Sequence, residues 1–163
     1  MGFLARLLRA QGREQDHVAD VVGVSQQHHE AVDADAKPAR RWQAVLEGPQ
    51  VVLVDDVLDV VCTDEQLGKP AGNDLVTGVY TLPVIRAMAG APDLQSLLGA
   101  PLDNDTMNKA RDVVRSNGAI GTALGVAGEY ASEAERALDN LDQNAGIDAL
   151  RSLPRALVEG VPV

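Results

Sequence analysis

Apolar residues recur along residues 50–163 in segments that are separated by loops containing glycine and proline. Residues 51–61 are almost wholly apolar and rich in β-branched side chains, so their pattern fits a buried strand as well as a buried helix. Residues 147–158 place Ile147, Leu150 and Leu157 on one side of a helix. The pattern predicts helices at most segments and leaves residues 51–61 undecided.

Turn and cap residues divide the region between these two segments. The stretch 67–78 is rich in glycine, and Thr81 opens a helix that tolerates Pro83 in its first turn. Prolines bracket a short helical piece at residues 92–101, and a helix over 103–115 is followed by Asn117 and Gly118, which favour a left-handed end.

A long helix is predicted from Ala119 to Asp142. It contains Gly121, Gly125 and Gly128 close to one face. Each glycine costs up to about 1 kcal/mol relative to alanine unless packing compensates for it. The spacing therefore predicts a closely apposed neighbouring helix. If helices that normally cover this face are missing, the face becomes a surface for self-association or for a partner.

Residues 1–49 differ from the rest of the chain, because they are polar and only weakly periodic and are interrupted by Gly12, Gly23, Pro38 and the pair Gly48-Pro49. We expect a variable or poorly ordered segment over residues 1–49 and one folded unit over residues 50–163. The chain has 163 residues, of which 45% are hydrophobic and 2% aromatic. A core of Ala, Val and Leu suits helix packing, so an all-α fold is predicted.

The formal net charge of −10 argues against a nucleic acid partner, which a basic surface would bind. A diphosphate ligand stays compatible with that charge when a divalent cation lies between it and carboxylates. The longest purely apolar run, residues 51–54, is far shorter than the roughly 20 residues of a membrane span. With no signal-peptide pattern and a single cysteine, Cys62, a cytoplasmic location is expected.

Candidate chemistry begins at Asp55, Asp56 and Asp59. If residues 51–61 are helical, these three carboxylates crowd one edge of an apolar helix, where they repel one another. Burying unpaired carboxylates costs several kcal/mol per ion, and a bound cation relieves that cost. Oxygen ligands without histidine favour Mg²⁺. The alternative is that these aspartates cap a helix or face water.

The loop that follows contains Gly68-Lys69-Pro70-Ala71-Gly72-Asn73-Asp74. Lys69 can contact a phosphate oxygen as a point charge, and the glycines allow a ligand to approach the backbone. Taken singly, Lys69 fits an ordinary surface lysine and Asp74 fits a helix cap. The ordered combination with the upstream aspartates is much more specific than its parts.

From Asp55 to Pro83 the sequence resembles the second aspartate-rich motif and the following loop of the polyprenyl synthetase family. The resemblance implies an all-helical fold of isoprenoid-synthase type and condensation of isopentenyl diphosphate with an allylic diphosphate. It also implies that Asp55, Asp56 and Asp59 take part in Mg²⁺ binding, with Asp55 the foremost candidate for a direct ligand. Lys69 would contact the allylic diphosphate, with Asp74 in a supporting role.

The resemblance has two gaps. The family carries Phe-Gln just before this motif, where Val51 and Val52 stand here. The first aspartate-rich motif and the groups that bind isopentenyl diphosphate belong upstream, and residues 1–49 do not contain them in recognisable form. We therefore expect a chain that is inactive alone. It would be completed by a complementary subunit that supplies the first acidic motif, or act as a non-catalytic binding or regulatory subunit, or come from a disrupted gene. A homo-oligomer is the other expected assembly.

Two weaker interpretations concern residues 28–42. His28-His29-Glu30 with Asp33 and then Arg40-Arg41 resembles the first motif only faintly, because the acidic residues and the spacing differ. Zinc binding by His28 with Glu30 or Asp33 lacks a second pair of ligands, so a solvated polar segment is favoured. Trp42 is a candidate interface anchor.

Overall fold

A computed structural model describes residues 38–98 and 102–163 of the chain. The described residues form nine helices and no strand. The helices are α1 (Pro38–Glu47), α2 (Pro49–Val61), α3 (Asp64–Leu67), α4 (Asn73–Thr77), α5 (Leu82–Gly90), α6 (Pro92–Leu98), α7 (Asn104–Ser116), α8 (Ala119–Arg136) and α9 (Ala145–Glu159). The all-α prediction is confirmed. Within these ranges, no helix is long and apolar enough to cross a membrane.

Helix α2 is the segment whose pattern fitted either a strand or a helix. Pro49 lies in its first turn, where the missing N–H is harmless, and the side chain of Gln50 is fully buried. The Nε2 of Gln50 donates to the carbonyl oxygens of Ala44 (2.8 Å) and Val45 (3.1 Å) of α1. Val54 and Val57 are completely buried against neighbouring helices, so tertiary packing outweighs the strand preference of valine.

The core is built around the contact between α2 and α8, and α8 also packs on α5 and α9. Alanines at positions 123, 127 and 131 form the buried face of α8, and their small side chains let the helix axes approach closely. Other fully buried core members are Leu75, Val84, Leu94 and Val114. A core of Ala, Val and Leu was predicted and is confirmed.

The expected close neighbour of Gly121, Gly125 and Gly128 is absent among the described residues. A Cβ atom built at any of the three glycines meets no atom within 4 Å, and Gly121 and Gly125 are exposed. The prediction of a tightly apposed helix is wrong for the described part of the chain. The physical reason is that α8 contacts α2 through its alanine face, which points away from the glycines.

Helix α8 ends at Arg136, earlier than the predicted Asp142. Beyond it the backbone forms tight turns, in which the amide of Leu138 donates to the carbonyl of Glu135 at 3.1 Å. Arg151 of α9 donates to the carbonyl oxygens of Glu135 (3.4 Å) and Leu138 (3.2 Å), and Leu138 is fully buried. The side chain of Arg151 thus adds a second donor to two carbonyls that already accept backbone amides of the turns.

The segment 1–49 overlaps the described residues only from Pro38. Helix α1 lies there and contacts α8 and α9, and its Val45 is buried together with Ala134 and Leu138. Residues 1–37, with the interpretations attached to His28, Glu30 and Asp33, lie outside the described residues. So do the side chains of Arg40 and Trp42.

Candidate metal-binding site

The three aspartates of α2 lie on one edge of the helix, at its carboxyl-terminal half. The Asp55 and Asp56 side chains are partly exposed, whereas Asp59 is only 3% exposed. Burial increases towards the end of the helix because Val57, before Asp59, and Val60, directly after it, belong to the core. The site therefore has an open end at Asp55 and a closed end at Asp59.

Asp59 joins α2 to the loop that follows it. Its Oδ2 accepts a hydrogen bond from the backbone amide of Asp74 (3.2 Å), and its carbonyl oxygen accepts one from the amide of Gly72 (2.9 Å). The second carboxylate oxygen, Oδ1, is buried without a hydrogen-bond partner among the described residues. A buried oxygen of this kind is costly unless a donor or a cation satisfies it.

Burial and mutual repulsion keep protons on the acidic cluster. The pKa of Asp56 is raised to about 7, chiefly by burial and then by the charges of Asp74, Asp55 and Asp59. The pKa of Asp74 is raised to about 6 by burial and by the charges of Asp59 and Asp55. Burial also raises the pKa of Asp59, although the amide of Asp74 opposes that shift. Near neutral pH the cluster shares protons that a cation would replace.

Lys69 lies at the open end of the site. Its Nζ is 3.7 Å from Oδ2 of Asp55, and both side chains are close to half exposed, at 48% and 43%. An ion pair this exposed contributes little to stability, because water and salt screen it. The ammonium group is therefore available to an anion that enters beside the carboxylates.

The segment carrying Lys69 is structured rather than a simple flexible loop. Thr63 and Gln66 form a capping box at the start of α3, and Oδ1 of Asp64 accepts the amide of Ala71 at 2.8 Å. Gly68 and Gly72 have φ angles of +70° and +74°, which favour glycine. Local hydrogen bonds thus set the path of the chain past the aspartates.

Arg111 and Arg115 of α7 were not singled out from the sequence, although they contact the end of α2. Nε of Arg111 and Nε of Arg115 each donate to the carbonyl of Val60 at 3.0 Å. Arg111 also donates to the carbonyl of Cys62. The two positions are 51 and 55 residues beyond Val60, so no local sequence signal connects them to the site.

The donor set fits a hard divalent cation such as Mg²⁺. All candidate ligands are carboxylate oxygens, one of them an unsatisfied buried oxygen of Asp59. Among the described residues no group of three or more Asp, Glu, His or Cys side chains is placed to hold a metal ion by itself. An open arrangement suits Mg²⁺, which takes one or two carboxylates and completes its shell with water and phosphate oxygens.

The region that contains the acidic cluster is similar to known proteins. Residues 50–116 match the model of the Polyprenyl synthetase family. Solanesyl diphosphate synthase 2, chloroplastic, of Arabidopsis thaliana is 41% identical over 91 residues, covering 55% of this chain and 21% of its own. Heptaprenyl diphosphate synthase component 2 of Geobacillus stearothermophilus is 32% identical over 114 residues, covering 69% of this chain and 36% of its own.

A solved structure is also similar to this chain. The geranylgeranyl pyrophosphate synthase of Corynebacterium glutamicum, complexed with calcium and isoprenyl diphosphate, superimposes with a TM-score of 0.62 at 31% sequence identity. The match covers 74% of this chain and 38% of that protein. The chain thus spans between about a fifth and two fifths of the length of these three relatives.

Proposed function

We propose that this chain, whose residues 50–116 belong to the polyprenyl synthetase family, supplies the part of a prenyl diphosphate synthase active site that binds Mg²⁺ and the allylic diphosphate. The observation that carries the proposal is the joining of the acidic edge of α2 to the Lys69 segment through Asp59. Asp55, Asp56 and Asp59 are the proposed oxygen ligands, and Lys69 the proposed diphosphate contact.

Each residue has a defined part in this proposal. Asp55 and Asp56 bind the cation at the open end. Asp59 offers its unsatisfied Oδ1 to the cation, and its Oδ2 holds the segment that carries Lys69 and Asp74. Mg²⁺, when bound, draws negative charge from the diphosphate and so favours its departure from the allylic carbon. Lys69 adds one positive charge beside the leaving group. Asp74 raises the pKa of Asp56 and so tunes the proton that the cation replaces.

A second wall is needed for condensation with isopentenyl diphosphate, because one helix edge cannot hold all the charges of two diphosphates. The acidic motif of that wall would come from another segment or from a complementary subunit. The relative from Geobacillus stearothermophilus bears the name of a synthase component, which supports a complementary subunit.

The buried thiol of Cys62 fits a reducing compartment, so we propose a cytoplasmic location.

Product formation tests this function. The full chain is incubated with Mg²⁺, isopentenyl diphosphate and an allylic diphosphate, alone and with a chain that carries the complementary acidic motif. We expect prenyl diphosphate only in the mixture, and we expect Asp55→Ala to abolish it. Absence of product with every such partner would refute the catalytic proposal.

A non-catalytic binding or regulatory subunit is the second candidate. It is favoured by Val51 and Val52, which replace the family's Phe-Gln pair just before the aspartates. Val51 is buried and Val52 is 42% exposed, and neither offers a polar group to a ligand. Mg²⁺-dependent binding of inorganic pyrophosphate without turnover in any mixture would support this alternative.

A further inference from the structure

Arg111 is the most buried of the arginines that contact the acidic helix. It is 7% exposed and lies on α7, and its guanidinium donates to the carbonyls of Val60 and Cys62. These carbonyls belong to the last turn of α2 and its cap, where no intrahelical donor is available. Asp59 directly precedes Val60, so Arg111 holds the backbone next to the buried ligand.

The aliphatic part of the same side chain supports the loop. A Cβ atom at Gly72 would lie 3.1 Å from Cδ of Arg111 and 3.1 Å from Sδ of Met107, so the loop rests directly on α7. Gly72 donates to the carbonyl of Asp59 and starts α4, whose Asp74 amide donates to Oδ2 of Asp59. Arg111 therefore touches both partners of the contact between the acidic helix and the loop.

We propose that Arg111 is a positioning residue for the diphosphate site: it fixes the end of α2 and Gly72 relative to each other and thereby places Asp59, Asp74 and Lys69. The inference rests on the proposed function, since it assigns to Arg111 the support of that binding site. Arg111 itself is buried beneath the loop and takes no part as a ligand. Groups that orient metal ligands from behind typically change metal affinity about 10- to 100-fold when they are removed.

A purely structural role as a helix cap predicts a different outcome. Arg151 provides the comparison, because it caps the end of α8 from α9 through the carbonyls of Glu135 and Leu138 and contacts the carboxylate of Asp139. None of its partners is an acidic residue of α2. Loss of either arginine lowers stability, but only loss of Arg111 is expected to alter the site.

The test compares the full-length wild-type chain with Arg111→Met and Arg151→Met. The first readout is hydrogen exchange at the amides of Gly72 and Asp74, measured by NMR without ligand. We expect Arg111→Met to raise the exchange rate at both amides about 10-fold more than its loss of global stability alone would cause. Arg151→Met should show no such excess at these two amides. The second readout is calorimetric binding of inorganic pyrophosphate with Mg²⁺, expected to weaken about 10-fold in Arg111→Met alone.

The outcomes separate this inference from the proposed function. If the wild-type chain binds no Mg²⁺-pyrophosphate, the proposed function fails, while the exchange data still decide whether Arg111 supports the loop. If Arg111→Met and Arg151→Met behave alike in both readouts, the positioning role is overturned. Should Arg111→Met not fold, Arg111→Lys replaces it: weaker binding than in the wild type is expected, because one donor and the charge are kept but the bidentate contact is lost. Unchanged binding and exchange in Arg111→Lys would overturn the positioning role.

Discussion

Asp74 donates its backbone amide to Oδ2 of Asp59, 15 residues earlier, at a distance of 3.2 Å. Together with the bond from the Gly72 amide to the Asp59 carbonyl, this contact joins a helix edge and a loop into one acidic site. It also leaves Oδ1 of Asp59 buried without a partner among the described residues. Proton binding by the cluster, cation binding and the conformation of the loop should therefore depend on one another.

Replacing Asp56 by Asn should stabilise the protein in a pH-dependent way. The Asp56 carboxyl has an ordinary pKa of 3.8 and a pKa of about 7 in the folded chain, so the folded state binds more protons between these values. The free energy of unfolding of the wild-type protein therefore falls as pH rises from 4 to 7. We expect Asp56→Asn to be about 2 kcal/mol more stable at pH 8, with little difference at pH 4.

Urea unfolding in metal-free buffer at pH 4, 6 and 8 measures this effect. Glu129→Gln is the control, since Glu129 is an exposed acid on α8. It should change stability by less than about 0.5 kcal/mol at each pH. Equal stability of Asp56→Asn and wild type at pH 8 would show that the ionised Asp56 carboxylate does not destabilise the folded protein.

Addition of Mg²⁺ should offset the loss of stability that the wild-type protein shows at high pH. A cation competes with the proton on Asp56, so the increase in Tm caused by Mg²⁺ should be larger at pH 8 than at pH 6. In Asp56→Asn the increase should be reduced at pH 8. A Tm shift that does not depend on pH, or that persists unchanged in the variant, would place the cation elsewhere.

Lys69 should contribute to binding rather than to folding. Its ion pair with Asp55 is exposed, so Lys69→Gln is expected to change the free energy of unfolding by less than about 1 kcal/mol. Loss of a charged contact to the ligand should weaken Mg²⁺-pyrophosphate binding by about 10-fold or more, as calorimetry can measure. Lys109→Gln, at an exposed lysine of α7, is the matched control. Equal affinities in the two variants would remove Lys69 from the site.

The same substitution at two glycines should have opposite effects. Gly72→Ala forces a side chain into a φ of +74° and against Met107 and Arg111, which should cost about 1–3 kcal/mol. Gly121 lies in a helix with open space around it, so Gly121→Ala should raise the free energy of unfolding by about 0.5–1 kcal/mol. Thermal unfolding of both variants measures the difference. A loss of stability in Gly121→Ala would indicate that another part of the protein covers that face.

Several features of the fold were predictable because they depend on local chemistry. The helix starting after Thr81, the left-handed Gly118 and the all-α class follow from caps, turns and composition. Helix α2 was ambiguous because its valines suit both structures, and only its burial between helices settles it. The glycine face was misjudged because spacing identifies a face of α8 but not which face meets α2.

The same limit applies to the site. Asp55, Asp56, Asp59 and Lys69 could be found because they lie within one short motif. Their roles as ligands and as a diphosphate contact are proposals. Arg111 lies far along the chain in an otherwise ordinary helix, and its contact with Val60 depends on how α7 packs. Residues that support a site from another element leave no pattern near the motif.

Calorimetric titration of inorganic pyrophosphate into the full chain at pH 8, with and without Mg²⁺, tests most directly whether the chain binds a diphosphate through Mg²⁺. We expect saturable binding at one site that requires Mg²⁺ and is lost in Asp55→Ala. Absence of pyrophosphate binding by the wild-type chain in Mg²⁺, or unchanged affinity in Asp55→Ala, would show that the acidic cluster is not the diphosphate site.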